Sequence, residues 1–213
     1  MIADVRRRQI IDAAADVIAT EGLPHASLSR IAARAGLSSA GLITYHFGDR
    51  RELLLAVAAD VAARHLATLD DADPEPHRAG AGAELDRYIA ATVTFQDRNR
   101  SAMQASWQIV WLQWSGNLPF AEQRPAADGA GSVIAAGPHM VRLAGILGRG
   151  QAEGDFRPDF APELMARTIN SAVLGYMDLI AGTTDPDPVT FTAHLQQTFA
   201  TAVRAADRST TDT

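Results

Sequence analysis

The segment from residue 27 to residue 55 restricts what this chain can fold into more than any other stretch. Apolar residues recur at helical spacing from Leu28 to Ala35, and Ser27 stands before them at the position of an N-cap. Gly36 then ends the helix, because it can take the left-handed conformation that a sharp turn needs. These residues predict a short helix followed at once by a tight turn.

A second short helix is predicted after the turn, over about residues 39–47, with Ser38 as its cap. Asp49, with Glu52 three positions later, forms a capping-box pattern that begins a further helix. Two short helices around a Gly-bearing turn make a helix-turn-helix, in which the second helix enters the major groove of DNA. The inward-facing residues of that second helix are predicted to be Leu42, Ile43 and Phe47.

This region resembles a known family. The runs Ala-Gly-Leu-Ser at 35–38, Tyr-His-Phe at 45–47 and Gly-Asp-Arg-Arg-Glu-Leu-Leu at 48–54 are similar to those of the TetR family of bacterial transcriptional regulators. The preceding helix, residues 6–21, and the run Gly-Gln-Ala-Glu-Gly-Asp-Phe-Arg at 150–157 are also similar to that family. The N-terminal match is specific, whereas the rest resembles the family in length and helical layout. The resemblance implies a DNA-binding head followed by a helical ligand-binding domain.

The exposed face of the second motif helix carries small or neutral side chains. No Arg, Asn or Gln is present there for bidentate recognition of a base. Small residues would let the helix sit deep in the groove, where Ala or Thr methyl groups can touch thymine methyls. The resemblance implies phosphate contacts near the end of this helix and in the first turn of the next. The predicted DNA-binding residues are Ser27, Ser38, Ser39, Ala40, Gly41, Thr44, Tyr45, His46 and Arg50.

The charge of the chain is unevenly divided. The formal net charge is −6, and a net acidic protein is usually a poor candidate for binding DNA. Residues 1–51, however, hold seven arginines against five acidic residues, and the remainder holds twelve against twenty. Because phosphate contacts are local, a basic head on an acidic body is compatible with a DNA-binding protein.

Composition and motifs exclude several classes of function. The chain has no cysteine, so disulfides, thiolate metal sites and a cysteine nucleophile are excluded. No apolar run approaches the roughly 18 residues of a membrane span, and no signal segment opens the chain, so we expect a cytoplasmic protein. Near-matches to a nucleophile elbow at 36–40 and to a dinucleotide loop at 148–150 lack a required glycine and a preceding strand. We expect no catalytic residues, no metal site and no cofactor.

Helical periodicity runs through almost the whole chain and predicts an all-α fold. An acidic, proline-containing loop at 70–76 breaks it. The domains are predicted to be a helix-turn-helix domain at 1–50, a helical effector-binding and dimerisation domain at 51–206, and a disordered tail at 207–213. Gly137-Pro138 is expected to kink one helix. Outside the motif, helices are expected near residues 4–21, 49–69, 84–97, 99–114, 129–152, 160–181 and 188–206.

A stripe of large side chains lies on one predicted helix in the middle of the chain. Its members are spaced four, four and three residues apart and are Met103, Trp107, Trp111 and Trp114. Packing in a core or an interface is the ordinary interpretation of such a stripe. The alternative is the wall of a ligand cavity, because aromatic walls with a few polar groups are typical of small-molecule sites. On that interpretation the effector-binding residues are Phe95, Met103, Gln104, Trp107, Gln108, Trp111 and Tyr176.

The last two predicted helices carry more apolar surface than one partner needs. The resemblance implies that they pair with the same helices of a second copy as a four-helix bundle. A two-fold dimer would set two helix-turn-helix motifs on a palindrome, about one helical turn of DNA apart. The expected partners are therefore double-stranded DNA with a palindromic operator, a second copy of the chain, and a small-molecule effector.

Three functions are compatible with these features. A ligand-responsive, dimeric transcriptional repressor fits best. The first alternative is an all-helical small-molecule enzyme or carrier with a vestigial DNA-binding head, which would act on a small molecule without binding DNA. The second is an architectural DNA-binding protein with no effector, which would lack a ligand cavity.

Overall fold

A computed structural model describes residues 2–75, 77–114, 137–182 and 187–205, with the side chains of residues 2 and 112–114 excepted. Within these ranges the structure is helical, with one isolated antiparallel bridge, Phe156 to Arg204, and no strand. The predicted all-α fold is confirmed. The elements are α1 (Ile2–Glu21), a 3-10 turn (Leu23–His25), α2 (Leu28–Arg34), α3 (Gly41–Phe47), α4 (Arg50–Ala72), α5 (Gly80–Arg98), α6 (Arg100–Trp114), α7 (Pro138–Glu153), α8 (Pro162–Ala181) and α9 (Pro188–Val203).

Two predicted helix starts are wrong. The sequence predicts a helix from about residue 84, but α5 begins earlier, at Gly80. It also predicts a helix kink at Pro138, which is instead the first residue of α7. A proline lacks the N–H that an interior helical residue must donate, and the first turn has no partner for that N–H in any case. Residues 129–136 of the predicted helix and the predicted tail at 207–213 lie outside the described residues.

The described chain divides into two compact units. The first contains the residues up to Arg64 together with residues 99–114, and the second contains His65–Arg98 together with the described residues from 137 onward. Helix α4 therefore contributes residues to both units. The domain boundary predicted after residue 50 stays a prediction.

The core of the first unit forms around α1. Its apolar residues recur every three or four positions, so they share one face of the helix. That face is completely buried. The first unit thus holds α2, α3, the start of α4 and α6 against a single helix through a cluster that includes Ile10, Ala14, Val17, Ile18, Ile31, Ile43, Leu53, Val57 and Ile109.

The core of the second unit is supplied by α4, α5, α7, α8 and α9. Helix α5 packs against α7, α8 and α9, and its apolar face is matched by aliphatic residues of all three. The fully or almost fully buried members include Leu69, Leu85, Ile89, Leu143, Ile146, Leu147, Ile169, Val173 and Tyr176.

The run at 150–157 has a structural explanation. Gly154 ends α7 in the left-handed conformation, with φ of 84°. The chain then folds back, so that the Phe156 N–H donates to the Gly150 carbonyl over 2.9 Å. The Phe156 ring lies so close that a Cβ on Gly150 would stand 2.1 Å from its Cδ2 atom. The two glycines of this run therefore serve a helix end and a close ring contact.

Candidate nucleic-acid interface

The turn between α2 and α3 has the geometry predicted for it. Ser27 caps α2, because its Oγ accepts from the Arg30 N–H over 3.3 Å. Gly36 has φ of 64°, in the left-handed region that the sharp turn requires. The Leu37 N–H then donates to the Ala32 carbonyl over 2.8 Å. This bond closes the end of α2 and directs the chain into α3.

Helix α3 is shorter than predicted. It begins at Gly41 after Ala40, with no side-chain cap, so the prediction that Ser38 caps it is wrong. Ile43 and Phe47 are buried as predicted. The prediction that Leu42 also faces inward is wrong, because 38% of its surface is exposed. Ile43 and Phe47 lie four residues apart on one stripe, and Leu42 stands about 100° away from Ile43 at the edge of that stripe.

The opposite side of the motif is open to solvent. Tyr45 is the most exposed large side chain of the motif at 83%, and its ring meets the His46 ring edge-on with centroids 5.2 Å apart. The other predicted base-contacting residues lie on the same surface and bring no charge to it. The exposed members are Ser27, Ser38, Ser39, Gly41 and Thr44, with Ala40 and His46 half-buried.

Two polar residues of α1 hold the ends of the motif helices. The Arg7 guanidinium donates to the His46 carbonyl over 2.5 Å and lies over the Phe47 ring, 4.2 Å from its centroid. The Gln9 amide donates to the Ala35 carbonyl over 2.6 Å. Carbonyls at helix ends have no partner within the helix, so these bonds fix α2 and α3 on α1. The sequence contained no periodic signal for them.

Arg50, a predicted DNA contact, is folded onto the protein. Its Nε donates to the Ala26 carbonyl over 2.9 Å, and an Nη donates to the Leu23 carbonyl over 2.6 Å. Burial lowers the pKa of the Arg50 guanidinium below its ordinary value. The side chain thus holds the connection between α1 and α2. The capping box that follows is half formed, since the Glu52 N–H donates to Asp49 Oδ1 over 2.8 Å.

Most arginines near the motif are offset by acids of the same unit. Arg30 lies 2.6 Å from Glu21, and Arg34 pairs with Asp16 and Glu21. Arg51, beside Arg50, pairs with Glu52, its neighbour in the chain, at 3.2 Å and stays half exposed. The surface around α3 is therefore close to neutral. Such a surface suits shape and methyl contacts with bases more than long-range attraction.

The predicted effector stripe lies on α6, in the first unit. The buried face of α6 is formed by Ala105 and Ile109, not by the tryptophans. Trp107 and Trp111 are 45% and 60% exposed, and their rings stack with centroids 6.3 Å apart. The side chain of Trp114 lies outside the described residues. Within the first unit, Trp107 and Trp111 therefore form an exposed surface and are not part of the core.

The other predicted effector residues have different surroundings. Gln108 accepts from the Leu23 N–H over 2.9 Å and donates to the Ile18 carbonyl over 3.3 Å, so its amide joins α6 to the end of α1. Met103 and Gln104 are half-buried. Phe95 and Tyr176 are buried in the second unit, where the Tyr176 hydroxyl donates to Asp97 over 2.9 Å.

Sequence reasoning missed a polar cluster in the second unit. His65 Nε2 lies 3.1 Å from Thr92 Oγ1. The Thr92 hydroxyl already donates to the Tyr88 carbonyl over 2.8 Å, so His65 is the donor in this pair. Burial, together with the nearby His139, lowers the pKa of His65 from 6.5 to about 4. One turn beyond Thr92, Gln96 is 1% exposed, and its Oε1 has no hydrogen-bond partner. Polar residues at i, i+4 and i+8 on the buried face of α5 were the available signal.

Neither a metal site nor a membrane span is found in the part of the chain that the structure describes. No group of three or more His, Asp or Glu side chains there could hold a metal ion. None of the helices in those residues is long and apolar enough to cross a bilayer.

Comparison with known proteins connects this motif to a family. Residues 10–57 match the family of bacterial regulatory proteins, tetR family. The chain is 36% identical over 110 residues to the HTH-type transcriptional regulator BetI of Cronobacter sakazakii, a match covering 50% of this chain and 52% of that protein. It is 34% identical over 115 residues to BetI 1 of Chromohalobacter salexigens, covering 54% of each. The chain spans about half the length of the curated relatives it matches.

The likeness in fold extends further than the likeness in sequence. A solved structure described as a TetR-family transcriptional regulator, from a Rhodococcus species, is 25% identical, with a TM-score of 0.72. It covers 93% of this chain and 98% of its own. Residues 10–57 therefore belong to the tetR family of bacterial regulatory proteins, and the fold of the chain is similar to that of a TetR-family regulator. These relatives are regulators, so an all-helical enzyme or carrier is not favoured.

Proposed function

We propose that this protein is a dimeric transcriptional regulator that represses from a palindromic operator and is released by a small molecule. The observation that carries the proposal is the open, uncharged face of α3, from Gly41 to Tyr45, on a helix-turn-helix whose two helix ends are tied to α1. A recognition element must be presented rigidly if it is to discriminate among bases, because each base contact depends on distance and angle.

The proposed DNA contacts divide into two kinds. Ser39, Ala40, Gly41 and Thr44 are small enough for α3 to enter the major groove and touch base edges. Ser27, Ser38, Tyr45, His46 and Arg50 meet phosphates on either side of the groove and set the register of the helix. Arg50 has a second duty in this proposal, since two of its nitrogens hold the carbonyls of Leu23 and Ala26.

The operator can be found by selecting duplexes from a random pool on the purified protein. We expect enrichment of a palindrome with half-sites about one helical turn apart. Tyr45→Ala should then weaken binding to the selected and to a scrambled duplex by similar factors, since phosphate contacts carry no sequence information. Glu153→Ala, an exposed change in the second unit, is the control. A selection that enriches no sequence would contradict the proposed function.

The phosphate role of Arg50 can be separated from its structural role. The slope of binding against salt concentration, on logarithmic scales, should fall by about one for each ionic bond to a phosphate that is removed. We expect Arg50→Ala to lower both this slope and the free energy of unfolding. Its neighbour Arg51 provides a matched control, because Arg51→Ala removes the same charge without breaking a bond to the main chain. An unchanged slope in Arg50→Ala would restrict Arg50 to holding the connection.

Dimerisation through α8 and α9 is supported by their exposed faces. On α8, Leu164 and Leu179 are exposed, and Ala172 and Gly175 lie between them at helical spacing. Small residues flanked by leucines allow another helix to approach closely. Val189 adds an exposed apolar side chain on α9.

The position for testing the dimer depends on burial within the protomer. Leu195 and Phe199, two large apolar residues of α9, are unsuitable because both are buried inside the protomer. Gly175 is the better position, because a Cβ there meets nothing within 4 Å in the protomer. We expect Gly175→Arg to fold and to sediment as a monomer. Gly82→Arg, at an exposed glycine of α5 with equally open surroundings, should remain a dimer. If the Gly175→Arg protein remains a dimer, the interface does not lie at this face of α8.

We propose that the effector contacts the stacked pair Trp107 and Trp111 and acts through α4, the helix that contributes residues to both units. A ligand shifts the equilibrium only if it binds one state better than another. A coupling of about 1–3 kcal/mol would weaken operator binding about 5–150-fold. Met103, Gln104 and Gln108, on the same helix, complete the proposed set within the first unit, whereas Phe95 and Tyr176 remain a separate prediction in the second.

The effector can be sought by screening bacterial metabolites for release of the selected operator. All three tryptophans of the chain lie on α6, so their fluorescence reports on this surface directly. We expect a releasing compound to change that fluorescence and Trp111→Ala to weaken the response. If neither occurs, the effector binds elsewhere, and Gln96→Leu then tests the polar cluster of the second unit.

A further inference from the structure

We propose that Arg30 and Arg34 of α2 are two further phosphate contacts, and that Glu21, at the end of α1, limits their use by pairing with both. Neither arginine is among the DNA-binding residues predicted from the sequence. This role rests on the proposed function, since it presupposes that the first unit binds DNA.

Both arginines lie on the side of α2 that carries its exposed N-cap. Ser27, Arg30 and Arg34 follow one another at spacings of three and four residues, so they share one side of the helix. The side chains of Arg30 and Arg34 are 54% and 40% exposed. Together with Glu21 and Ala33 they line a surface cavity of about 590 Å³. A phosphate backbone that meets Ser27 would therefore find both cations within two turns of the helix.

In the free protein, acids of α1 occupy these cations. Arg30 Nη1 lies 2.6 Å from Glu21 Oε2, and Arg34 Nη2 lies 3.7 Å from Glu21 Oε1. Arg34 also pairs with Asp16 through Nη1. Glu21 thus faces each guanidinium with a different oxygen. A phosphate that approaches must displace this carboxylate and is also repelled by its negative charge, so Glu21 opposes DNA binding in two ways.

The position of Glu21 is unfavourable for α1 itself. Glu21 is the last residue of α1, and the last turn holds no basic residue. The C-terminal end of a helix carries partial negative charge, so a carboxylate there destabilises the helix. Exposed ion pairs add little stability to a fold, and the side chains of Glu21 and its two partners are between 33% and 54% exposed. Stability is therefore a weak reason for an acid at this position, whereas a limit on DNA affinity follows from it directly.

Glu21→Gln tests this role in the intact chain. Binding to the selected operator and to a scrambled duplex of equal length is measured by fluorescence polarisation over a series of salt concentrations. We expect Glu21→Gln to bind both duplexes about three- to tenfold more tightly than the wild type, because the released cations act on phosphates and not on bases. The slope of affinity against salt, on logarithmic scales, should steepen by about one to two.

The matched control is Asp12→Asn, an equal change of charge at an exposed residue of α1 outside the cavity. It should alter the affinity by less than about twofold, because salt screens exposed charges that make no direct contact. The gain in Glu21→Gln should disappear in the triple variant that also carries Arg30→Ala and Arg34→Ala. A gain that persists there would overturn the proposal, since it would not pass through the two arginines.

Asp16→Asn keeps the test decisive if Glu21→Gln fails to fold, as judged by circular dichroism. It removes one of the two acids beside Arg34 and should give a smaller gain. If the ion pairs only hold α2 on α1, Glu21→Gln and Asp16→Asn will leave the affinity unchanged or lower it. That result, with a wild type that still selects its operator, would overturn the role of Glu21 alone. Failure of the wild type and of every variant to bind any duplex would overturn the proposed function as well.

Discussion

Polar side chains serve different ends in the two units. In the first unit, Arg7, Gln9, Arg50 and Gln108 bond to main-chain groups at helix ends and connections. In the second, the buried oxygen Oε1 of Gln96 lacks a hydrogen-bond partner. The other buried side-chain atoms of the described residues that lack a hydrogen bond belong to ion pairs, Asp60 with Arg64 at 3.0 Å in the first unit and Asp73 with Arg87 at 3.1 Å in the second.

This difference separates a scaffold from a receptor. Polar bonds to helix ends hold short helices in one arrangement, as a recognition element requires, because α2 and α3 are too short to be stable by themselves. Buried polar atoms without partners cost free energy, and a protein that keeps them has groups ready for a ligand to satisfy. The comparison predicts that the stability of the second unit depends on pH and on bound ligands. The stability of the first unit should depend on single hydrogen bonds from side chains to main-chain groups.

Acid should produce the largest effect. The pKa of His65 is lowered from 6.5 to about 4 in the folded protein, so between these values the unfolded chain binds more protons. His65 therefore contributes full stability above pH 6.5, which is lost as the pH falls towards 4, by about 3 kcal/mol in all. Urea unfolding at pH 7.5 and 4.5 measures the loss. The part due to His65 should disappear in His65→Gln and persist in His25→Gln, an exposed histidine of the first unit. Equal losses in both variants would contradict the assignment.

Crowding at the end of α7 should have the next largest effect. Gly150→Ala places a Cβ 2.1 Å from the Phe156 ring, and overpacking of this kind costs about 1–3 kcal/mol. Gly148, two residues earlier in the same helix, has nothing within 4 Å of a built Cβ. Gly148→Ala should therefore stabilise the protein by about 0.5–1 kcal/mol. Thermal unfolding of the two variants measures the difference. Equal shifts in Tm would show that the Phe156 ring does not crowd position 150.

The smallest effect should come from removing one of the side-chain hydrogen bonds to main-chain groups in the first unit. Gln108→Ala removes two bonds to the end of α1 and leaves the N–H of Leu23, a buried residue, without its acceptor. We expect a loss of about 1 kcal/mol in the free energy of urea unfolding. Gln104→Ala, one turn earlier on the same helix, should change it by less than about 0.5 kcal/mol. Equal losses in the free energy of unfolding for the two substitutions would show that the Gln108 bonds to α1 do not stabilise the fold.

Local patterns in the sequence were enough for the helix-turn-helix and for most helix positions. Ser27, Gly36 and the Asp49 cap act within a few residues of the chain, so their roles follow from conformational preference. The role of Phe47 follows from helical spacing. Leu42 was misassigned because its neighbours Ile43 and Phe47 occupy the narrow buried stripe of a seven-residue helix.

The candidate sites were less predictable, because they depend on contacts between residues far apart in the chain. A stripe of tryptophans predicts a large apolar face but cannot say what covers it, and Trp107 and Trp111 lie on an exposed surface of their unit. Arg50 carries a charge in the right place for a phosphate, yet two of its nitrogens are used by carbonyls more than twenty residues earlier.

The sequence by itself determined the helices, the turn at Gly36, the family and the uneven charge, because each rests on short-range periodicity, backbone preference or composition. Only the tertiary structure decided how the polar residues are used. Arg7 and Gln9 reach helix ends 39 and 26 residues away, and Gln108 of α6 reaches the end of α1, 90 residues away. The physical reason is that a hydrogen bond or a cavity depends on which groups meet in space, and residues so far apart in the chain leave no local pattern of that meeting.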